Sequence, residues 1–308
     1  MSKVSIIGAG NVGATVADVI ARAGYCHEVV LLDIKPGLAE GKALDIAQTA
    51  PLLGFDTKVR GVTNDYKAIA DSDIVVITSG RPRSPGMSRD DLIHVNAEII
   101  KSVMEPAVFY APNAVFIVVT NPLDTMAYYA YKLSRLPSQR VIGMAGVLDT
   151  ARYRYFLAQE LNASVQDIEA MLLGGHGDTM VPLPRYTTIG GIPIMNLIAP
   201  DKLNAIIERT KFGGGEITQL LGTSAWYAPG AAVAQMVASI LLDQKRVLPC
   251  SAYLQGQYDL YDIYVGVPVK LGRQGVEEII QLALNEEERK LLHTSAEAVR
   301  AMNAILKF

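Results

Sequence analysis

Three arginines fall within ten residues in GRPRSPGMSR, residues 80–89, alongside two prolines and two glycines. Proline removes a backbone donor and clashes with the preceding helical turn, so Arg81, Arg83 and Arg89 are expected on a loop. Such a loop is either a solvated basic surface or a device that closes over an anion. A second candidate is His176 in GGHGD, residues 174–178. Its flanking glycines allow close approach of backbone or ligand, although a hydrogen-bonded turn histidine would read the same way. A third lies in GVLDTAR, residues 146–152, where Asp149 and Arg152 are three apart and share one helical face. An acid complementing the helix dipole, with a surface ion pair, is the plainer account of that spacing. The chain has four histidines and two cysteines, with no HExxH and no cysteine pair, so metal binding is not expected.

The elements that must position these groups begin at residue 3. KVSII runs into Gly8-Ala9-Gly10-Asn11-Val12-Gly13, after which Val16, Val19, Ile20 and Ala23 recur at helical spacing until Gly24. A GxGxxG loop between strand and helix is a dinucleotide-binding pattern. Gly8 makes the turn, Gly10 lets the backbone approach a pyrophosphate, and Gly13 permits tight helix–strand packing. The next strand, EVVLLD (28–33), ends in Asp33, 20 residues after Gly13. An acid there accepts from a ribose diol and repels a 2′-phosphate, which favours NAD over NADP. A strand-end turn residue is the alternative for Asp33 taken alone.

Further strands are expected within 72–80, 114–122 and 140–144, as continuous apolar runs suited to parallel strands buried on both faces. Helices are expected over 90–110 and 123–134. The arginine loop then leaves one strand end, and Thr120 and Asn121 stand at another, which is where such sheets bind ligands. The second half reads as a helix over 146–161, a long buried helix over 217–243 interrupted near Pro229, hairpin-like strands within 257–279 and an amphipathic helix over 286–306. The expected fold is α/β: an N-terminal doubly wound parallel (Rossmann) sheet over 1–145, with a C-terminal mixed α+β substrate domain over 146–308.

The net charge of -3 argues against general nucleic-acid affinity. Cys26 and Cys250 read as free thiols of a reducing compartment. With no leader pattern and no apolar run of membrane-spanning length, a cytoplasmic protein is expected.

Over essentially its whole length the chain resembles the lactate/malate dehydrogenase family. The matching stretches are GAGNVG (8–13), Asp33, GRPRSPGMSR (80–89), VTNP (119–122), GVLDTAR (146–152) and GGHGD (174–178). The nearest likeness is to its lactate-dehydrogenase-like malate dehydrogenases, whose specificity loop carries arginine. The resemblance implies that His176 is the proton acceptor, with Asp149 as its carboxylate partner. Arg152 would bind the substrate's C1 carboxylate in two-pronged fashion, and Arg89 would polarise the reacting carbonyl from the closing loop. Asn121 would hydrogen-bond the same oxygen. Asn96 and Val119, with Thr120, Asn121 and the glycine loop, would contact NAD. Arg83 falls where the lactate enzymes usually carry glutamine, and would meet the second carboxylate of malate. No role carries over to Arg81 or Trp226. The family further implies a homo-oligomer, with the tetramer favoured over the dimer. Lactate dehydrogenase activity, or a catalytically silent NAD-binding protein of the same fold, are the rival readings.

Overall fold

Runs of Val, Ile and Leu make the centre of the molecule. The computed structural model describes residues 1–82 and 86–308. Its first half alternates strand and helix: β1 (Lys3–Ile7), α1 (Asn11–Ala23), β2 (Glu28–Asp33), α2 (Leu38–Gln48), α3 (Ala50–Leu53), β3 (Lys58–Thr63), β4 (Ile74–Ile77), α4 (Arg89–Tyr110), β5 (Val115–Val118), α5 (Leu123–Ser134) and β6 (Val141–Gly143). The six strands lie parallel in the order β3-β2-β1-β4-β5-β6. β4 and β5 are buried along their whole length, because α1 and α2 cover one face of the sheet while α4 and α5 cover the other.

The pairing register decides where the chemistry can sit. Ile7 is level with Leu32 and Ile77, Ile77 with Val118, and Val118 with Gly143. The segments leaving these strands therefore emerge side by side at one edge. They are the glycine loop, the arginine loop and Val119–Pro122.

After β6 come α6 (Gly146–Leu161), α7 (Pro200–Leu221), α8 (Tyr227–Leu241) and α9 (Glu286–Asn303). Three long strands, Arg246–Gln255, Tyr261–Gly272 and Gly275–Ile279, run antiparallel and continue the same sheet to nine strands through the pairing of Ser251 with Gly143. The expected helix over 217–243 is corrected. Its first part belongs to α7, which Gly222 ends in the left-handed conformation (φ +70°), and α8 starts at Tyr227. Pro229 does not interrupt a helix. It lies in the first turn of α8, where its missing N–H costs nothing.

Close approach of α1 to β1 needs a residue without a side chain at Gly13. A Cβ there would overlap the Gly8 carbonyl oxygen and stand 2.8 Å from Thr78 Oγ1. Gly13→Ala is therefore expected to cost about 1–3 kcal/mol through forced backbone displacement. Urea denaturation of the two proteins measures it directly.

Candidate active site

The glycine loop is tied to the end of β2. Ala9 N donates to Asp33 Oδ2 (2.7 Å) and Lys35 N to Asp33 Oδ1 (2.9 Å). Gly8 takes φ +109°, which a side chain would resist. A side chain at Gly10 would point into open space, so the glycine leaves room beside the loop. The first turn of α1 has no capping side chain and no acid, so its free N–H groups and positive dipole end stay available to an anion. Asp33 is half-buried and keeps lone pairs free on both oxygens. These features fit a dinucleotide, with the pyrophosphate on α1 and a ribose diol at Asp33.

A cavity of about 550 Å³ runs from Gly10–Gly13 past Val119, Thr120 and Asn121 to Arg152 and His176. Gly214, Gly215 and Trp226 also line it. A second cavity of about 280 Å³ shares Asn121 and His176 with it and adds Arg89, Asp124 and Asp178.

His176 stands where these two cavities meet. Its Nδ1 lies 2.8 Å from Asp149 Oδ2, while Asp149 Oδ1 accepts from an Arg152 terminal nitrogen at 3.2 Å. Asp149 is buried in the first turn of α6, so its charge needs both partners. Burial alone would lower the proton affinity of the imidazole. The Asp149 carboxylate outweighs that, through charge and hydrogen bond, and Arg152 pulls weakly the other way. The net result is a pKa above the ordinary histidine value. With Nδ1–H committed to Asp149, Nε2 is the nitrogen that exchanges a proton with whatever enters the cavity. Arg152 Nε is buried without a hydrogen-bond partner among the described residues. Gly213 and Gly214 of α7 lie against the Arg152 side chain, where a Cβ at either would make ordinary van der Waals contact with it. A fork with one spare buried donor, at the wall of a cavity, suits a carboxylate ligand.

Two family models match the chain: lactate/malate dehydrogenase, NAD binding domain, over residues 2–143, and lactate/malate dehydrogenase, alpha/beta C-terminal domain, over residues 146–307. The chain belongs to the lactate/malate dehydrogenase family. A malate dehydrogenase of Cytophaga hutchinsonii is 61% identical over 304 residues, covering 99% of this chain and 97% of its own. The solved malate dehydrogenase of Salinibacter ruber superposes with a TM-score of 0.94 at 55% identity, over 98% of this chain and 97% of that one. The lactate dehydrogenase of Cryptosporidium parvum, solved with lactic acid and nicotinamide adenine dinucleotide, gives 0.94 at 39% identity, over 99% and 97%.

As a dehydrogenase of this family, the chain brings most of its expected site residues together. Gly10, Asn11, Val12, Gly13, Val119, Thr120, Asn121, Arg152 and His176 line one cavity, Gly8 and Ala9 lie behind its lining, and Asp149 touches His176. Thr120 Oγ1 donates to the Ser79 carbonyl (2.5 Å), which ties two strand ends. Asn96 is not among the residues lining the cavity. It is fully buried, its Oδ1 accepts from Arg81 N (2.8 Å), and its Nδ2 donates to the carbonyls of Arg81 (3.1 Å) and Asn121 (2.6 Å). Its amide is thus spent on clamping the base of the arginine loop to the segment that presents Asn121. Arg89 departs from a pure loop position. It is the first residue of α4, exposed, and borders the second cavity. Arg83 lies outside the described residues. Arg81 and Trp226 keep no assigned role, although Trp226 lines the main cavity. The sequence reading passed over Asp124, Ser251 and Ser295, which hold the histidine loop from behind. The only local signal was an acid directly after Asn121-Pro122-Leu123.

The sign of the His176 shift is open to direct measurement. Histidine NMR should find its ring titrating above 6.5, the ordinary value. In Asp149→Asn the desolvation stays while the counter-charge goes, so the titration should fall below 6.5. A midpoint unchanged by the substitution would refute this electrostatic account.

Proposed function

We propose that this chain is an NAD-dependent malate dehydrogenase that interconverts (S)-malate and oxaloacetate. The observation that carries the reading is the His176–Asp149 pair with Arg152 beside it, in a cavity continuous with a dinucleotide-type glycine loop. Residues 1–145 serve the cofactor and 146–308 the substrate in this reading.

NAD, when bound, supplies the hydride acceptor for oxidation and, reduced, the hydride donor for the reverse reaction. The chain's own residues do the rest. Arg152 holds the C1 carboxylate of malate with its fork. His176 Nε2 accepts the C2 hydroxyl proton as the carbonyl forms. Asp149 fixes the tautomer and stabilises the imidazolium that results. In reduction the charged ring returns the proton to the same oxygen. Asn121 and Arg89 stabilise negative charge on that oxygen, Arg89 after moving from its exposed position at the head of α4. The raised proton affinity of His176 suits this reversal. Oxidation needs the neutral ring and gains as pH rises through its pKa, while reduction needs the charged ring and is lost over the same range.

We further propose a cytoplasmic homotetramer acting in the tricarboxylic acid cycle. Leu44, Leu52, Leu53, Leu220, Leu221 and Tyr227 are large apolar side chains at least half exposed, which favours association. No helix of the described residues is long and apolar enough to cross a membrane.

Oxidation of NADH with oxaloacetate and with pyruvate, side by side, tests the reaction. The expected result is oxaloacetate activity far above pyruvate activity. His176→Asn should lower turnover by roughly two to four orders of magnitude while leaving NADH affinity intact. Near-normal turnover in that variant would remove His176 from the chemistry. Selection between the substrates is assigned to Arg83 by the family resemblance. A desolvated carboxylate that loses its partner costs about 2–5 kcal/mol, or about 30-fold or more. Arg83→Gln should therefore lower kcat/KM for oxaloacetate by about that factor and raise it for pyruvate. Equal losses on both substrates would make Arg83 a contact unrelated to selection.

A further inference from the structure

The loop that presents His176 is held by three successive backbone amides, each tied to a different element. Gly174 N donates to the Gly266 carbonyl (2.9 Å) in the strand Tyr261–Gly272. Gly175 N donates to Ser295 Oγ (2.8 Å) in α9. His176 N donates to Asp124 Oδ2 (2.8 Å) at the start of α5. The first acceptor is a carbonyl and the second a hydroxyl. The third is a carboxylate, at a point where a neutral acceptor would satisfy the amide equally well.

Asp124 is a buried acid with no cation hydrogen-bonded to it among the described residues. Its other oxygen, Oδ1, accepts from Ser251 Oγ (2.6 Å), which lies in the strand that joins β6. Burial leaves its proton affinity above that of an ordinary carboxylate, with Asp149 adding to the rise and the donors from Ser251 and His176 opposing it. A backbone amide can only donate, so Oδ2 acts as an acceptor, and the Ser251 hydroxyl supplies a donor to Oδ1. The first turn of α5 adds its positive dipole end.

We propose that Asp124, held between Ser251 and the backbone amide of His176 at the start of α5, is a positioning carboxylate that seats the backbone of His176 and adds a second negative charge beside its ring. The proposal rests on His176 being the acid–base residue of the reaction above. Asp149 acts on the ring directly, whereas Asp124 acts through the main chain and through space. The other charged groups around this ring and its two cavities, among the described residues, are Asp149 and Arg152 of α6, Arg89 of α4, Asp178 of its own loop, and Arg81 and Lys211 at the main cavity. The α9 residues that bond the histidine loop or line the second cavity are neutral: Ser295, Ala298, Val299 and Met302.

The test uses the full chain with NADH. Asp124→Asn keeps the shape and an acceptor for His176 N but removes the charge. The pH limb of kcat/KM that reports His176 should then move down by roughly a few tenths of a pH unit, less than in Asp149→Asn. Malate oxidation would persist at lower pH, and oxaloacetate reduction would fade earlier. NADH affinity should stay within twofold. Ser251→Ala withdraws one donor from the carboxylate, fits the tight contact with Gly143, and should move the limb in the same direction by less. A merely structural role predicts lower rates with the limb in place, and that result would overturn the proposal. If Asp124→Asn does not fold, Ser251→Ala decides alone by the same criterion. The His176→Asn assay separates the two failures. Turnover lost there with an unmoved limb here sinks only the Asp124 role, whereas turnover retained there sinks the reaction assignment itself.

Discussion

A buried carboxylate shared by an imidazole and a guanidinium is the constraint around which this fold is arranged. Asp149 is 2% exposed, and a charge taken that far from water is tolerable only with partners in good geometry. His176 and Arg152 supply them, one per oxygen. Arg152 comes with Asp149 at no topological cost, one turn along α6. His176 comes from 27 residues further on and must be brought in by force of packing. That requirement explains why the loop at 174–178 is pinned at three adjacent amides to three elements that are otherwise distant in sequence. It also explains why the sheet continues past β6. The strand Arg246–Gln255 carries Ser251 to Asp124, and the next strand carries Gly266 to Gly174.

The cofactor side follows from sheet geometry. Parallel strands in register end level with one another, and loops leaving them crowd into one crevice. Crowding is why the side-chain-free positions are not interchangeable. Gly13 and Gly80 are steric necessities: a Cβ at the first would strike the Gly8 carbonyl, and one at the second would lie 2.6 Å from the Thr120 methyl. Gly10 has space around it, so its lack of a side chain serves whatever binds rather than the chain itself. Asn96 and Thr120 then lock the crowded loops to one another.

What the sequence revealed, and what it hid, divides along physical lines. Strands buried on both faces announce themselves as apolar runs, and β1, β2, β4, β5 and β6 were all legible that way. β3 was not, because an edge strand needs little burial and KVRGVT mixes charge with glycine. Arg246–Gln255 was hidden by Pro249 and Ser251 inside an otherwise apolar stretch. The break between α7 and α8 was legible as a break but misplaced, since Pro229 is the louder signal and Gly222 the operative one. The site divides similarly. His176, Asp149 and Arg152 lie in short motifs that survive reading in one dimension. Asp124 is a single acid at a helix start, common in any sequence, and acquires meaning only when folding sets it against a loop 52 residues away. Asn96 stands in the cofactor's neighbourhood, and what the sequence could not show is that its amide also bonds the backbone on both sides of the crevice.

The remaining asymmetry lies in the arginines. Arg152 is neutralised by Asp149 in the resting fold, so its charge is partly spent and its geometry fixed. Arg89 is different. It is the first residue of α4, a cation at the positive end of a helix dipole, which is the unfavourable end for it. Asp90 and Asp91 in the same turn offset this, and Ser88 with Asp91 closes a capping box that holds the turn in place. Among the described residues none forms an ion pair with Arg89. Its side chain therefore rests in water beside the second cavity, with the backbone of its helix start firmly built. A cation with no ion pair to the described residues, on a fixed base, gains most from an anion or a developing alkoxide that arrives in front of it. The histidine side of the site is thus assembled before substrate enters, while one positive charge is held in reserve for the moment when negative charge appears.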